Sequence, residues 1–254
     1  MLNDRARDPC DELDPGFSKG LINGRDGRGT GSWQGTAIET LLPVELDTRG
    51  QLEGPGGQQR EIKFTPTEAG LRHFALRLDS DASTRQRFPH DFRLLYEVHV
   101  GSKLSMALHV TNLGSQPIRF EEALHTYFRV SDVRQVAVEG LDGATYIDKT
   151  DGMSRKKQEG PVTISGETDR VYLDTTSTVW INDAGGNRRI TVEKEGSRAT
   201  VVWNPWVNKA RAMTDFGDDE WPAMLCVETV NAADVPVSLP AGATHVMTAT
   251  IGSE

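Results

Sequence analysis

From Leu71 to the C-terminus, short runs of alternating apolar and polar residues follow one another, separated by glycine-bearing turns. A strand sends successive side chains to opposite faces, so this pattern describes strands with one wet face and one buried face. Leu71 to Leu78, Phe92 to Val100 and Leu104 to Val110 open the series, with Gly101-Ser102-Lys103 as a hairpin connection. Further runs are Ala123 to Val130, Val136 to Val138, Arg170 to Asp174, Val179 to Asn182, Ile190 to Lys194, Ala199 to Trp203, Ala223 to Val230 and His245 to Ile251. Gly140 to Gly143, Asp183 to Asn187 and Glu195 to Ser197 supply turns whose glycines take positive φ without strain. Only Val207 to Thr214 reads as helix. Many strands joined by short turns predict an all-β domain of two stacked antiparallel sheets, not a parallel sheet with crossover helices.

Residues 1–60 have a different composition. Asn23 to Gly35 is rich in Gly, Arg, Asp and Ser, and Leu52 to Gln59 contains Gly54, Pro55, Gly56 and Gly57. A stretch that buries so little is expected to be partly disordered, with one short strand near Ala37 to Leu46, ahead of a sandwich domain over 61–254. Gly27, Gly29 and Gly31 lack the preceding strand and following helix that a phosphate-cradling loop needs. A formal charge of -9 and a pI of about 5.2 argue against nucleic acid or anionic membrane as partner. No apolar run approaches the roughly 20 residues of a membrane span, and the charged N-terminus does not read as a secretory signal. A soluble, cytoplasmic protein is expected. Cys10 and Cys226 make neither a disulfide framework nor a zinc motif, and Cys226 reads as a small buried apolar residue.

Two polar residues stand where alternation aims them at one face. In Ala123 to Val130, His125 shares a face with Ala123 and Tyr127, while Leu124, Thr126 and Phe128 face the core. In Met224 to Val230, Glu228 shares a face with Met224 and Cys226. An imidazole and a carboxylate on strands far apart in sequence can converge across a pocket as acid and base. Each also has a plain reading: a hydrogen-bonded structural histidine and a salt-bridged glutamate. Asp169 opens a strand, where it can accept from sugar hydroxyls or bond its own backbone in a turn. The acidic loop Asp215 to Glu220 does not have calcium-loop spacing and is expected beside the pocket. Trp180, Trp203, Trp206 and Trp221 are candidates for an apolar platform under a sugar ring, or for core and rim. His99 and His109 fall on neighbouring strands and are expected to face each other with no third metal ligand; His73, His90 and His245 have no suggestive setting.

With these segments in view, the chain resembles the glucose-6-phosphate 1-epimerase (hexose-6-phosphate mutarotase) family of the galactose-mutarotase-like superfamily, which includes the apospory-associated protein C group. The matching segments are Phe88 to Phe92, Glu122 to Phe128, Val138 to Gly143 with Tyr146 to Lys149, Thr168 to Tyr172, Trp203-Asn-Pro-Trp206, and Asp215 to Trp221 running into Cys226-Val-Glu228. The resemblance implies an antiparallel β-supersandwich that interconverts the anomers of a hexose 6-phosphate or related sugar without a cofactor, and a monomer is expected. It implies that His125 protonates the ring oxygen, that Glu228 removes the anomeric hydroxyl proton and that Asp169 holds the substrate. Arg170, Lys149 and Lys209 are basic residues near these motifs and equal candidates for the phosphate.

The family's Arg-Gly-Gly and His-Gly-Phe-Ala-Arg segments have no counterpart in residues 1–60. N-terminal strands and one wall of the pocket are therefore expected to be missing or replaced. Orientation supplies much of catalysis, so a non-catalytic sugar- or sugar-phosphate-binding sandwich is the alternative.

Overall fold

A computed structural model of the chain describes four short N-terminal strands as backbone, and residues 73–254 apart from Ser83, Arg87, Thr214 and Asp215. The N-terminal strands are β1 (Thr36–Thr40), β2 (Glu45–Leu46), β3 (Leu52–Gly54) and β4 (Gln58–Arg60). The expectations for Gly27, Gly29, Gly31 and Cys10, and for most of the 1–60 segment, lie outside the described residues. The strands that follow are β5 (His73–Asp79), β6 (Phe92–Val100), β7 (Leu104–Asn112), β8 (Ile118–Phe120), β9 (Glu122–Arg129), β10 (Val136–Glu139), β11 (Thr145–Asp148), β12 (Ser154–Lys157), β13 (Val162–Thr163), β14 (Thr168–Tyr172), β15 (Val179–Asp183), β16 (Arg188–Glu195), β17 (Ala199–Asn204), β18 (Met224–Asn231), β19 (Val237–Leu239) and β20 (Thr244–Ser253). The one α-helix among the described residues, α1 (Trp206–Ala212), lies where the sequence places it. None of their helices is long and apolar enough to cross a membrane.

Two antiparallel sheets form an open sandwich. One runs β1-β9-β18-β17-β14-β11-β12, the other β13-β10-β15-β16-β20-β7-β6-β5. Their facing sides make one core in which Leu124, Phe128, Tyr172, Val202, Leu225 and Val227 meet Leu94, Met106, Leu108, Ile181, Met247 and Ile251. The buried-then-half-buried alternation of Phe92–Val100 is the expected period of two. The seven-stranded sheet departs from it: every residue of Met224–Asn231 is buried, because its outer face carries a second apolar cluster around Ile147, Val171, Val201, Trp203 and Cys226.

The strands that alternation does not reveal are short or polar. Ser154–Lys157 reads Ser-Arg-Lys-Lys and forms an edge. Lysine-rich edges resist pairing with other chains, so such a strand carries no apolar signature.

At one end the two sheets are tied by polar groups. Glu122 on β9, almost wholly buried, accepts from the Asn231 side chain on β18 at 2.8 Å and from His245 Nε2 on β20 at 2.7 Å. The bond to Glu122 raises the His245 imidazole above its ordinary range, against the opposing effect of burial. With a folded-state value above the unfolded one, this link stabilises fully below about pH 6.5 and is lost as pH rises through the folded value. His245→Gln is thus expected to lower the urea midpoint below that pH, with the difference from wild type shrinking as the medium turns alkaline. A pH-independent difference would mean that His245 acts by packing alone.

Candidate functional site

Register builds the site. The pairing of Cys226 with Tyr127 and of Thr229 with Leu124 sets Glu228 across from His125 on adjacent strands β18 and β9. Val201 of β17 pairs with Glu228, and Val171 of β14 pairs with Val201, so His125, Glu228, Val201 and Val171 form one rung of the outer face. Two residues along, Tyr127, Cys226, Trp203 and Asp169 form the next rung on the same face. The three residues expected from sequence thus share a face. Asp169 lies two strands from Glu228, roughly 10 Å across a sheet with strands about 4.8 Å apart.

His125 Nε2 lies 3.2 Å from Glu228 Oε1, and each side chain is only 3% exposed. The sequence reading has the pair converge across a pocket; the structure puts them in direct contact, because directly paired positions on adjacent strands leave no room between. Tyr127 stacks on the His125 ring at 4.7 Å, and Trp203 stands edge-on to His125 at 5.9 Å and to Tyr127 at 6.2 Å. Those aromatic neighbours fix the plane of the imidazole. Asp169 Oδ2 lies 3.4 Å from Lys149 Nζ, and both side chains are buried. Lys149 thus lies beside Asp169, whereas Arg170 turns its guanidinium over the Tyr146 ring at 5.0 Å.

Behind the site, Asn204 ends β17, wholly buried. Its amide donates to the carbonyls of Trp221 and Met224 at 2.9 and 2.8 Å, and its oxygen accepts from the Trp206 backbone N–H at 2.9 Å. The Trp-Asn-Pro-Trp segment therefore folds the start of α1 against the strand that carries Glu228.

The structure decides the open alternatives and corrects one expectation. Only Trp203 of the four tryptophans belongs to the cluster on the site's face. Trp206 and Trp221 pack on each other at 4.3 Å against the sandwich core, and Trp180 lies under the Arg189 guanidinium at 5.0 Å. His99 and His109 do not face each other: register opposes His99 to Ser105 and His109 to Leu95. Cys226 is buried as expected, yet its sulfur also stands beside the His–Glu pair. The donor atoms of His125, Cys226 and Glu228 all lie within 4.8 Å of one another. Thiolate, imidazole and carboxylate are all zinc donors, so this trio fits a soft divalent ion as well as a proton-transfer pair.

Comparison with known proteins places the chain in a family. A protein from Cenchrus ciliaris with the provisional name glucose-6-phosphate 1-epimerase is 39% identical over 160 residues, which cover 61% of this chain and 48% of that one. One from Escherichia coli K12 with the same provisional name is 35% identical over 158 residues, covering 62% of this chain and 52% of that one. The alignments thus span about half of each relative's length. A crystal structure of a provisionally named mutarotase from Salmonella typhimurium superposes with a TM-score of 0.67 at 24% identity over 95% of this chain and 94% of that one, a likeness of fold. The aldose 1-epimerase family model matches residues 55–251, and with most of its length inside that match the chain belongs to the aldose 1-epimerase family.

Proposed function

We propose that this chain interconverts the α and β anomers of a hexose 6-phosphate without a cofactor, with His125 as acid, Glu228 as base and Asp169 as substrate anchor. The observation that carries the reading is the 3.2 Å contact of His125 with Glu228 on the sheet face that also bears Asp169. The provisional name of the relatives supports a phosphorylated hexose. A cytoplasmic monomer is the setting this reading assumes.

Mutarotation breaks the bond between C1 and the ring oxygen. Glu228 as carboxylate takes the proton of the C1 hydroxyl while His125 as imidazolium gives one to the ring oxygen, leaving an open-chain aldehyde, a neutral imidazole and a carboxylic acid. After the carbonyl turns its other face, the hydroxyl attacks it and both protons return. The two reacting oxygens share one carbon, so an acid and a base in contact can serve both. Asp169, accepting from a distal hydroxyl, would hold the ring in register with the pair.

Freshly dissolved α-glucose 6-phosphate should reach anomeric equilibrium faster with the protein than in buffer, followed by NMR or polarimetry. A rate equal to buffer rejects the proposal. The near-complete burial of the pair favours one other reading, a sandwich that binds sugar phosphate without turnover. Calorimetric binding without acceleration would select it.

A further inference from the structure

The outward face of the eight-stranded sheet carries a cluster of imidazoles that the proposed chemistry leaves unused. His73 on β5 pairs in register with His99 on β6, and their rings stack with centroids 4.1 Å apart and planes 16° apart. Glu97, on the same face of β6 as His99, places one oxygen 3.5 Å from His73 Nε2 and the other 3.0 Å from His109 Nε2 on β7. His73, Glu97 and His109 are about a quarter exposed, at 23%, 28% and 27% of their side chains, and His99 is exposed. The Nε2 atoms of His73 and His109 are nevertheless shielded from solvent, with the Glu97 carboxylate as their polar neighbour. Imidazole nitrogens and carboxylate oxygens, all able to ligate metal, are thus gathered at one place on this face. The donor atoms of His73, Glu97 and His99 lie within 4.8 Å of one another.

We propose that His73, Glu97 and His99 bind a divalent transition-metal ion of the zinc, nickel and copper class, the exposed His99 ring turning off its stack on His73 so that both nitrogens point at the ion, with His109 holding the second oxygen of Glu97. Two imidazole nitrogens and one carboxylate oxygen suit these ions, while magnesium and calcium prefer sites made of oxygen. Three protein ligands leave a fourth position for water. A carboxylate ligand oriented by a neighbouring group is the usual outer arrangement of such sites, which gives His109 its part. Because β5 is the edge of its sheet, an ion shared by His73 and His99 would staple that edge to β6, and binding to the folded state alone raises stability. The cluster sits on the other sheet from His125 and Glu228, so the inference stands apart from the proposed activity.

Zn²⁺ titrated into the untagged full chain near neutral pH, followed by calorimetry, should give a saturable site, and Mg²⁺ should give none. His99→Ala and His73→Ala should abolish that site, and His109→Ala should weaken it by about tenfold. Cys226→Ala should leave it in place, which separates it from the second donor trio at His125, Cys226 and Glu228. Zn²⁺ should also raise the thermal midpoint of the wild type and not that of His99→Ala, a surface change that leaves the core untouched. No saturable binding, binding that survives both histidine substitutions, or binding lost only in Cys226→Ala would each overturn the proposal.

Discussion

Glu228→Gln is expected to slow anomerisation by about 10²–10⁴-fold, the usual contribution of a positioned general base. That is about 3–5 kcal/mol of transition-state stabilisation. The amide has the shape of the carboxylate and still accepts a hydrogen bond, yet it cannot take the C1 hydroxyl proton. Stability is expected to fall as well, since the amide leaves His125 buried without the opposite charge of its partner, so the rate is compared per folded molecule. His125→Asn should cost a similar factor. The double variant should lose little more than either single one, because the two groups move their protons in one step and their effects do not add. NMR line shapes of the two anomers give the rate, and circular dichroism checks the fold. An unchanged rate in Glu228→Gln would remove Glu228 from the chemistry even if the chain is an epimerase.

How much of this can be read from the chain depends on distance along it. Alternation alone assigns His125 to the face opposite Leu124 and Phe128, and Glu228 to the face opposite Leu225 and Val227, and the core has these apolar residues on the inner side. What alternation cannot supply is strand order. The contact of His125 with Glu228 requires β9 and β18 to be neighbours, and Asp169 joins them only because β17 stands between β18 and β14. Non-local pairing of this kind leaves no trace in a single strand's pattern. The resemblance, resting on motifs that run in order along the chain, links those segments where periodicity is silent. Local reading also fails where a side chain's role is set by what packs over it. The Glu122–His245 link joins two sheets, and the His73–His99 stack depends on a register between β5 and β6. The tryptophans stay undecided in sequence because a large ring suits core and sugar platform alike, and only packing buries Trp221 in the core and sets half-buried Trp206 against it.

The two faces of β18 give the sharpest separation of stability from chemistry. Leu225 is wholly buried, pairs with Phe128 and points into the sandwich, away from the face that bears Glu228. Leu225→Ala should cost about 2–5 kcal/mol of unfolding free energy, the lost transfer energy of the side chain plus the cavity it leaves. The backbone bonds of β18 to β9 and β17 are untouched, so the register that holds Glu228 opposite His125 should survive wherever the protein is still folded. Urea unfolding should therefore show a lower midpoint with an unchanged slope. The anomerisation rate per folded molecule should stay within a few-fold of wild type, in contrast to the loss expected for Glu228→Gln. Loss of activity without loss of stability in Leu225→Ala would place position 225 on the site's side of the sheet, and the assignment of the two faces would then be wrong for the whole strand, since a shift of one residue moves every side chain across.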